Sequence, residues 1–506
     1  MDAVVVAVLV GSPWVAAALA AVLRRRDGMA TAARGACWVT AAGFVASVIA
    51  TVRVLTGGPL WIGIGATGLN VDTLAVFLGM LVLGLSALIQ SFAVRYLRGD
   101  TRQGWFVVWA NVLTGCTVAL VCAGSLLVFA VSWVAAGAAL VALLATYRSP
   151  QAGDGVRRLA IRLGIADSLF LVGVAVLLVA NGGDARLSEL GGVTDGLSQP
   201  MQLGAAALLV IGALARSSQI PFQGWLPFTL AAPTPVSALL HAGVVNAGAI
   251  LLLRFAPVIA QHQVIMLGIF ALGAATLLYA TAVRLARPDV KGRLVFSTMA
   301  QMGFMIMACG LGAFPAAIFH LIAHSLYKSS LFLGAGTGVR SHAVLRDLPA
   351  RQPVTRSRRA AATVIAIALP VTAIAAVELI VVHQTAPASL SLLVFLAVTA
   401  IVTLSTALTT RFSPGTVLIA AGSISAVIIG YTIFLAAFSS ALDPVGASAP
   451  APAWLLVVPA LGLAALELLS RGAAPLSARA RTYTRSLTAS IPRLHLDLNT
   501  SKGLHA

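Results

Sequence analysis

Apolar segments of membrane-spanning length follow one another along almost the whole chain, separated by short polar loops. A helix needs about 20 apolar residues to cross the hydrocarbon of a bilayer, and this length predicts about fifteen spans. The spans are predicted near 3–23, 35–56, 69–92, 104–122, 124–147, 160–181, 201–229, 235–256, 263–283, 294–312, 314–338, 360–382, 387–410, 415–439 and 452–470.

Composition agrees with an all-α polytopic membrane protein. Of 506 residues, 59% are hydrophobic and 9% are charged, and the mean hydropathy is +0.98. Soluble domains carry about 25% charged residues. The strands of a membrane barrel would alternate apolar and polar residues, which these runs do not. We predict one transmembrane helical domain over 1–470, followed by a basic cytoplasmic tail, 471–506.

The net charge of +18 is distributed by side of the membrane. If the spans alternate in direction, most basic residues outside the spans fall on one side of the membrane. The opposite side receives only Arg53, Arg186 and Arg254. This asymmetry follows the positive-inside rule, so it predicts a cell-membrane protein with its N-terminus outside and its C-terminus in the cytoplasm, and it gives no reason to expect nucleic acid. The basic segments on the cytoplasmic side are 24–34, 95–102, 148–162, 284–293, 340–359, Arg411 and the tail from Arg471.

Motifs of nucleotide and redox chemistry are missing from the sequence. It contains no P-loop, no GxGxxG after a strand and no nucleophile elbow, so we expect a transporter subunit rather than an enzyme, without a cofactor. The four cysteines lie in apolar segments without CxxC spacing, which favours small buried residues over metal ligands or disulfides.

The segment between Ile211 and Arg254 is apolar, yet four prolines break it and it contains Arg216 and His241. A basic residue at mid-bilayer costs roughly 2.5–3.5 kcal/mol on insertion scales. Broken backbone at that depth requires surrounding protein or a water-filled cavity. We therefore expect Arg216 to set the field of a central cavity and His241 to relay protons. The alternatives are an arginine that extends to the headgroups and a buried histidine bonded to a carbonyl.

A second constellation is FHLIAHSLYKSSLF, with His320, His324 and Lys328 at i, i+4 and i+8. This spacing places the three side chains along one helical face. Three titratable groups facing lipid would be costly, so we expect them to line an internal wet path for protons. The i, i+4 histidines also have metal-ligand spacing, but no third ligand is apparent, so no metal is expected. A structural polar patch is the remaining alternative.

Three acidic residues inside or near apolar segments are further candidates. Glu378 lies within the apolar TAIAAVELIVVH and is expected either to titrate on the ion pathway or to pair with a cation. Its segment, about 360–383, also contains Pro370, which suggests a second, weaker interruption beside that in 201–229. Paired broken helices point to inverted repeats, and accidental similarity of the two segments is the alternative. Asp72 and Asp167 are predicted within a turn or two of helix starts, where capping is as plausible as conduction.

The segments that contain Arg216, His241 and the row His320, His324 and Lys328 resemble one family of antiporter-like subunits. Respiratory complex I (its chain L), Mrp-type cation/proton antiporters and DAB-type inorganic-carbon transporters share this family. The resemblance rests on ARSSQIPFQGWLPFTLAAPTPVSALLHAG, PDVKGRLVFSTMAQMGFM and FHLIAHSLYKSSLFL, and with VDTLAVF it covers about residues 70–340. It implies about 14–15 helices, two inverted repeats with discontinuous helices and a polar axis at mid-membrane. By position, His241, His320, His324 and Lys328 match the proton pathway of the family.

The chain departs from this family at two charged positions. The glutamate that usually follows a tryptophan in the fifth helix falls at Val134, and Arg216 stands where the family usually has lysine. Arginine holds its proton across the physiological pH range. A glutamate–lysine switch therefore cannot operate unchanged in this chain.

The segment HAGVVNAGAILLLRFAP is most similar to the membrane subunit of DAB-type transporters. That resemblance implies a proton- or cation-conducting subunit that energises uptake of CO2 or bicarbonate. It also implies a large soluble zinc-binding partner on the cytoplasmic side. The alternatives are a proton-pumping subunit of a complex I or Mrp-type assembly, linked to quinone or cation exchange, and a scaffold without conduction.

Overall fold

The protein is described by a computed structural model, and its described residues are mostly α-helical. A short antiparallel hairpin pairs Leu60–Ile62 with Leu69–Val71 between the second and third helices. The described residues are 2–23, 29–63, 67–146, 150–183, 185–194, 196–346, 356–380, 401, 404, 408, 413–442 and 452–470.

The α-helices are numbered in chain order. They are α1 (Asp2–Leu23), α2 (Met29–Gly57), α3 (Thr73–Tyr96), α4 (Gln103–Val121), α5 (Leu126–Leu144), α6 (Pro150–Ala180), α7 (Gln199–Arg216), α8 (Thr234–Ala242), α9 (Ala247–Arg254), α10 (Ala256–Ile259), α11 (Gln263–Ala286), α12 (Val290–Gly310), α13 (Phe314–Arg346), α14 (Arg356–Ile380), α15 (Pro414–Leu442) and α16 (Val457–Ser470).

Most predicted spans coincide with these helices. Within the described ranges, eight helical segments are long and apolar enough to cross a membrane, with α8 and α9 counted together. The main difference in position is α6, which begins at Pro150 rather than near 160. Except for isolated helical positions, the predicted span 387–410 lies outside the described residues, as does the predicted tail 471–506.

Small residues let α11 and α12 pack closely against each other. On α11 and α12, a Cβ added at Gly273 would lie 2.5 Å from the backbone nitrogen of Met307. A Cβ added at Gly303 would lie 2.6 Å from the nitrogen of Leu277. In a membrane, helices gain little from hydrophobic contact with one another, so close packing at small residues holds them together.

A network of neutral polar side chains joins α2, α3 and α4. Gln90 and Asn111 exchange amide hydrogen bonds of 2.8 and 3.0 Å, and Thr40 donates to Asn111 Oδ1 at 2.8 Å. Gln90 also donates to Ser86, whose hydroxyl lies 2.7 Å from that of Thr114. All five are buried. Because each finds partners on neighbouring helices, the network stabilises the contact of these three helices.

The capping alternative is correct for Asp72 and wrong for Asp167. Asp72 precedes α3, accepts a hydrogen bond from the amide of Ala75 at 2.8 Å, and also forms an ion pair with Arg254. Asp167 lies in the middle of α6, because that helix begins well before the predicted start. It therefore has no free helix terminus to cap.

The predicted interruption after Arg216 is present, whereas the one suggested at Pro370 is not. α7 ends at Arg216, Ser218 has a φ of 55°, and a 3-10 helix follows over Gln223–Ala231. A proline in a membrane helix is tolerated where neighbours compensate for its missing donor. α14 accordingly runs without a break through Pro370 from Arg356 to Ile380.

Candidate functional site: a buried polar axis

The break after α7 is supported by side chains from elsewhere in the bundle. Thr276 on α11 accepts a hydrogen bond from the backbone nitrogen of Ile220 at 3.1 Å. Trp225 donates its indole N–H to the carbonyl of Ala215 at 3.0 Å. Irregular backbone at membrane depth needs such partners, since lipid offers none. The break is thus held in place, and it fixes Arg216 at the last residue of α7.

Arg216 forms a buried ion pair with Asp167 of α6. Its Nη2 lies 2.8 Å and 3.0 Å from the two carboxylate oxygens, and Arg216 is 1% exposed. Trp133 on α5 donates its indole N–H to the same carboxylate at 2.8 Å, and its ring lies 4.5 Å from the guanidinium carbon. The pair therefore has both a hydrogen-bond donor for the anion and an aromatic face for the cation.

A glycine makes room for this ion pair. A Cβ added at Gly137 of α5 would lie 2.8 Å from Arg216 Nη2 and 3.0 Å from Asp167 Oδ2. Any larger residue would push the two charged groups apart. Gly137 and Trp133 are four residues apart, so they share one face of α5.

A cavity of about 60 Å³ lies next to the ion pair. Its wall includes Arg216, Trp133 and Asn246, with apolar side chains from α3 and α9. Ser86 and Thr114 contribute hydroxyl groups. Because a water molecule needs about 10–15 Å³ of such volume, the cavity has room for a few waters. We call it the central chamber.

The carbonyls at the end of α8 recruit polar side chains. α8 stops at Ala242, which leaves its last carbonyls without helical partners. The Asn246 amide donates to the Ala242 carbonyl at 2.9 Å and to Ser325 Oγ of α13 at 2.8 Å. His324 Nε2 donates to the His241 carbonyl at 3.2 Å. The break between α8 and α9 thus joins the central chamber to α13.

His324 has two partners that suit either protonation state. Its Nδ1 lies 2.7 Å from the amide of Gln301 on α12. The His241 carbonyl can only accept, but Gln301 presents either its oxygen or its NH2 group when the amide rotates. His324 therefore keeps both hydrogen bonds whether its ring carries one proton or two. A relay residue needs this property.

Lys328 completes a pairing of α12 with α13. Its ammonium donates to the hydroxyl of Ser297, and Lys328 is 1% exposed. Ser297 and Gln301 on α12 are four residues apart, as are His324 and Lys328 on α13. His320 is half-buried, and its ring centroid lies 6.0 Å from that of His324. The polar faces of the two helices are therefore opposed turn by turn.

Several buried polar atoms of this axis have no hydrogen-bond partner among the described residues. They are Arg216 Nε, both ring nitrogens of His241, Asn246 Oδ1 and His320 Nε2. His241 is fully buried, with its ring stacked on Phe332 at 4.7 Å. An unpaired buried polar atom is unfavourable by about 1–3 kcal/mol, and water can satisfy it where there is space.

The structure brings together most of the residues predicted from sequence. Arg216 lines the chamber, and His324 contacts the backbone of His241. On α13, His320, His324 and Lys328 lie on one face. Arg216, His241, His324 and Lys328 are buried, and His320 is half-buried. Glu378 lies on α14, but its side chain is outside the described ones. In the described ranges, no cluster of three His, Cys, Asp or Glu is placed to hold a metal ion.

Sequence reasoning did not find the Asp167–Arg216 pair, Trp133 or Gly137. One signal was available, because Asp167 is the one acidic residue in the apolar run from 159 to 181. A carboxylate buried in a membrane helix needs a cation, and Arg216 is a basic residue that also lies inside an apolar segment.

Comparison with known proteins points to a single family. The model of the family "NADH:quinone oxidoreductase/Mrp antiporter, TM" matches residues 123–404. The chain is 36% identical over 293 residues to the probable inorganic carbon transporter subunit DabB1 of Halothiobacillus neapolitanus, covering 55% of this chain and 51% of that protein. To DabB2 of the same organism it is 34% identical over 352 residues, covering 65% and 64%.

A complex I relative also matches. NADH-quinone oxidoreductase subunit L of Mycobacterium tuberculosis is 31% identical over 278 residues, covering 54% of this chain and 44% of that protein. The chain thus spans between 44% and 64% of the length of these curated relatives.

Two solved structures share the fold. One is the Mrp complex from Dietzia sp. DQ12-45-1b, with a TM-score of 0.65 and 23% identity, covering 96% of this chain and 59% of that one. The other is the membrane-bound sulfane sulfur reductase, an archaeal respiratory membrane complex, with a TM-score of 0.59 and 18% identity, covering 95% and 97%. With the family match over more than half of its length, this chain belongs to the NADH:quinone oxidoreductase/Mrp antiporter transmembrane family.

Proposed function

We propose that this protein conducts protons or another cation through the membrane and thereby energises the uptake of inorganic carbon. The observation that carries the proposal is the buried row of titratable groups on α13, facing Gln301 and Ser297 of α12. Charged or chargeable side chains in a membrane core mark ion and proton pathways. The unpaired polar atoms along the axis support hydration of the same path.

The pathway that we propose runs from Lys328 through the rings of His324 and His241 to the central chamber and Arg216. His324 fits a relay, because it can gain and lose a proton without losing a partner. Lys328 fits a proton-storing site, because a buried ammonium readily sheds its proton. We include His320 on the strength of its position beside His324, and Glu378 as the candidate carboxylate of the second half.

The inorganic-carbon assignment rests on the curated relatives. Those named inorganic carbon transporter subunits DabB1 and DabB2 share 36% and 34% identity with this chain. We infer that a large soluble zinc-binding protein docks on the cytoplasmic side and handles CO2 or bicarbonate. The distribution of arginines supports an outside N-terminus and a cytoplasmic C-terminus in the cell membrane.

The test removes one relay group at a time in cells whose growth in air depends on this chain. We expect His324→Ala and Lys328→Ala to abolish growth in air while growth at elevated CO2 is normal. His262→Ala, at the start of α11 and away from the axis, and Tyr327→Ala, an exposed position on α13, are the matched controls. Normal growth of both axis variants in air would overturn conduction and favour the scaffold.

The second candidate is a proton-pumping subunit of a complex I or Mrp-type assembly. It is favoured by the similarity to subunit L of M. tuberculosis and by the fold shared with the Mrp complex. Purification of the full chain from native membranes separates the two. A co-purifying soluble zinc protein supports carbon uptake, whereas quinone-linked or antiporter subunits support the second candidate.

A further inference from the structure

The N-terminal part of α6 places two arginines against the 3-10 helix Gln223–Ala231. The guanidinium carbon of Arg158 lies 5.1 Å from the centroid of the Phe228 ring. Arg162 lies against Gly224, where an added Cβ would be 2.3 Å from the arginine Nη1. The two arginines are four residues apart, so they share one face of α6. Both guanidinium groups are therefore held against the same short segment.

The positive charge at this site has no balancing carboxylate in the part of the chain that the structure describes. Neither Arg158 nor Arg162 forms an ion pair there, although Asp154 lies one turn earlier on α6. Lys291 brings a third cation to the same 3-10 helix, since its ammonium donates to the carbonyl of Leu230 at 2.6 Å. Like charges four residues apart on a helix repel each other. An anion bound by both arginines removes that repulsion.

The two arginines are suited to bind a phosphate group. Arg162 is exposed and Arg158 is half-buried, so a ligand can reach the site from outside the bundle. A guanidinium group presents its N–H donors in a planar fork that matches the oxygens of a phosphate. It also stays charged at every physiological pH, so binding does not depend on protonation.

The same face of α6 continues as an exposed apolar stripe. Ile165 and Val172, seven and fourteen residues after Arg158, are 59% and 52% exposed. This spacing places them on the face that carries the arginines. The positive-inside rule predicts that the arginine end of the stripe lies at the cytoplasmic surface, where anionic lipids attract basic groups. A ligand with a phosphate at one end and hydrocarbon at the other matches the whole stripe.

We propose that Arg158 and Arg162 bind the phosphate of an anionic phospholipid whose acyl chains lie along Ile165 and Val172. The phosphate balances the two arginines and joins α6 to the 3-10 helix. That helix connects α7, which ends at Arg216, to α8. The bound lipid therefore stabilises the broken part of the bundle. This inference goes beyond the proposed function and requires no ion flux.

The test is a lipid titration of the full chain, purified in a neutral detergent with any subunits that stay bound to it. The thermal denaturation temperature is measured as phosphatidylglycerol is added, and its dependence on concentration gives an apparent affinity. Phosphatidylcholine and inorganic phosphate are the ligand controls. We expect phosphatidylglycerol to raise the denaturation temperature, and the two controls to leave it unchanged at the same concentrations.

Arg158→Gln combined with Arg162→Gln is expected to weaken the apparent affinity for phosphatidylglycerol by at least about tenfold, because charge-assisted hydrogen bonds are lost. Arg98→Gln, which removes an exposed arginine between α3 and α4, is the matched control and should bind as the unmodified protein does. Arg162→Gln alone changes one exposed side chain and should weaken binding in the same direction. It keeps the test decisive if the double variant does not fold.

Unchanged affinity in the arginine variants overturns the lipid site. Equal stabilisation by inorganic phosphate also overturns it, since the arginines then bind a free anion. A third contrary result is a bound subunit that dissociates from the double variant while the lipid titration is unchanged, because the arginines then dock a protein. None of these measurements involves proton flux, so failure of the lipid site is distinguishable from failure of the proposed function.

Discussion

Arg216 and Lys328 are two cations buried to the same extent in one membrane bundle, but their surroundings differ. Both are 1% exposed. Arg216 contacts the carboxylate of Asp167 on α6 and both the ring and the backbone carbonyl of Trp133 on α5. The partner observed for Lys328 is the neutral hydroxyl of Ser297. A permanent charge needs a counter-charge when it is buried, whereas a group that can shed its proton does not.

Under the proposed function, this difference gives the two ends of the axis separate tasks. At the α5–α7 end, the permanent charge of Arg216 is balanced by Asp167, so we do not expect this end to exchange protons. At the α12–α13 end, His320, His324 and Lys328 can exchange protons with one another or with water. The two ends are linked by Asn246, which lines the chamber and donates to Ser325, the residue after His324.

The largest effect on stability is expected when the Asp167–Arg216 ion pair loses its cation. Arg216→Ala leaves Asp167 as an uncompensated buried charge, and breaking such a pair costs about 3–5 kcal/mol. We expect a marked drop in the thermal denaturation temperature in detergent and little folded protein. Combining it with Asp167→Asn should recover most of the loss. If the double variant is as unstable as the single one, charge balance does not stabilise this region.

An intermediate effect is expected from Trp133→Phe. The change keeps an aromatic ring against the guanidinium but removes the indole donor to Asp167. A hydrogen bond to a charged group contributes about 1.5–3 kcal/mol. We expect a loss of stability in that range, measured by the same denaturation assay. Phe304→Leu, an aromatic change beside His320, is a control that leaves the ion pair intact. No loss in Trp133→Phe would mean that the carboxylate is held by Arg216 alone.

The sequence was sufficient to predict features that depend only on the spacing of residues within one helix. The spans, the interruption after Arg216 and the single face shared by His320, His324 and Lys328 all follow from residue spacing. These are local properties of a helix, and the structure agrees with them. Pro370 shows the limit of the same reasoning, because α14 continues through it.

The sequence was insufficient where a contact depends on how helices are rotated against one another. The sequence predicts Asp167 near a helix start, where capping accounts for a carboxylate, so it does not indicate the ion pair with Arg216. The predicted span begins near 160, after the charged residues Asp154, Arg157 and Arg158, whereas α6 already begins at Pro150. The opposed residues Gln301 and Ser297 depend in the same way on the relative rotation of α12 and α13.

The smallest effect on stability is expected from substitution of Lys328, which, unlike Arg216, has a neutral partner. Lys328→Met keeps the length of the side chain and removes its charge. The change gives up one hydrogen bond to Ser297 but also the desolvation of an ammonium, and it strands no buried carboxylate among the described neighbours. We therefore expect the free energy of unfolding to change by no more than about 1 kcal/mol. Proton flux should nevertheless be lost, because the row on α13 then lacks a proton-storing group. A destabilisation as large as that of Arg216→Ala would contradict the comparison, since it would mean that Lys328 is a permanent cation with a counter-charge of its own.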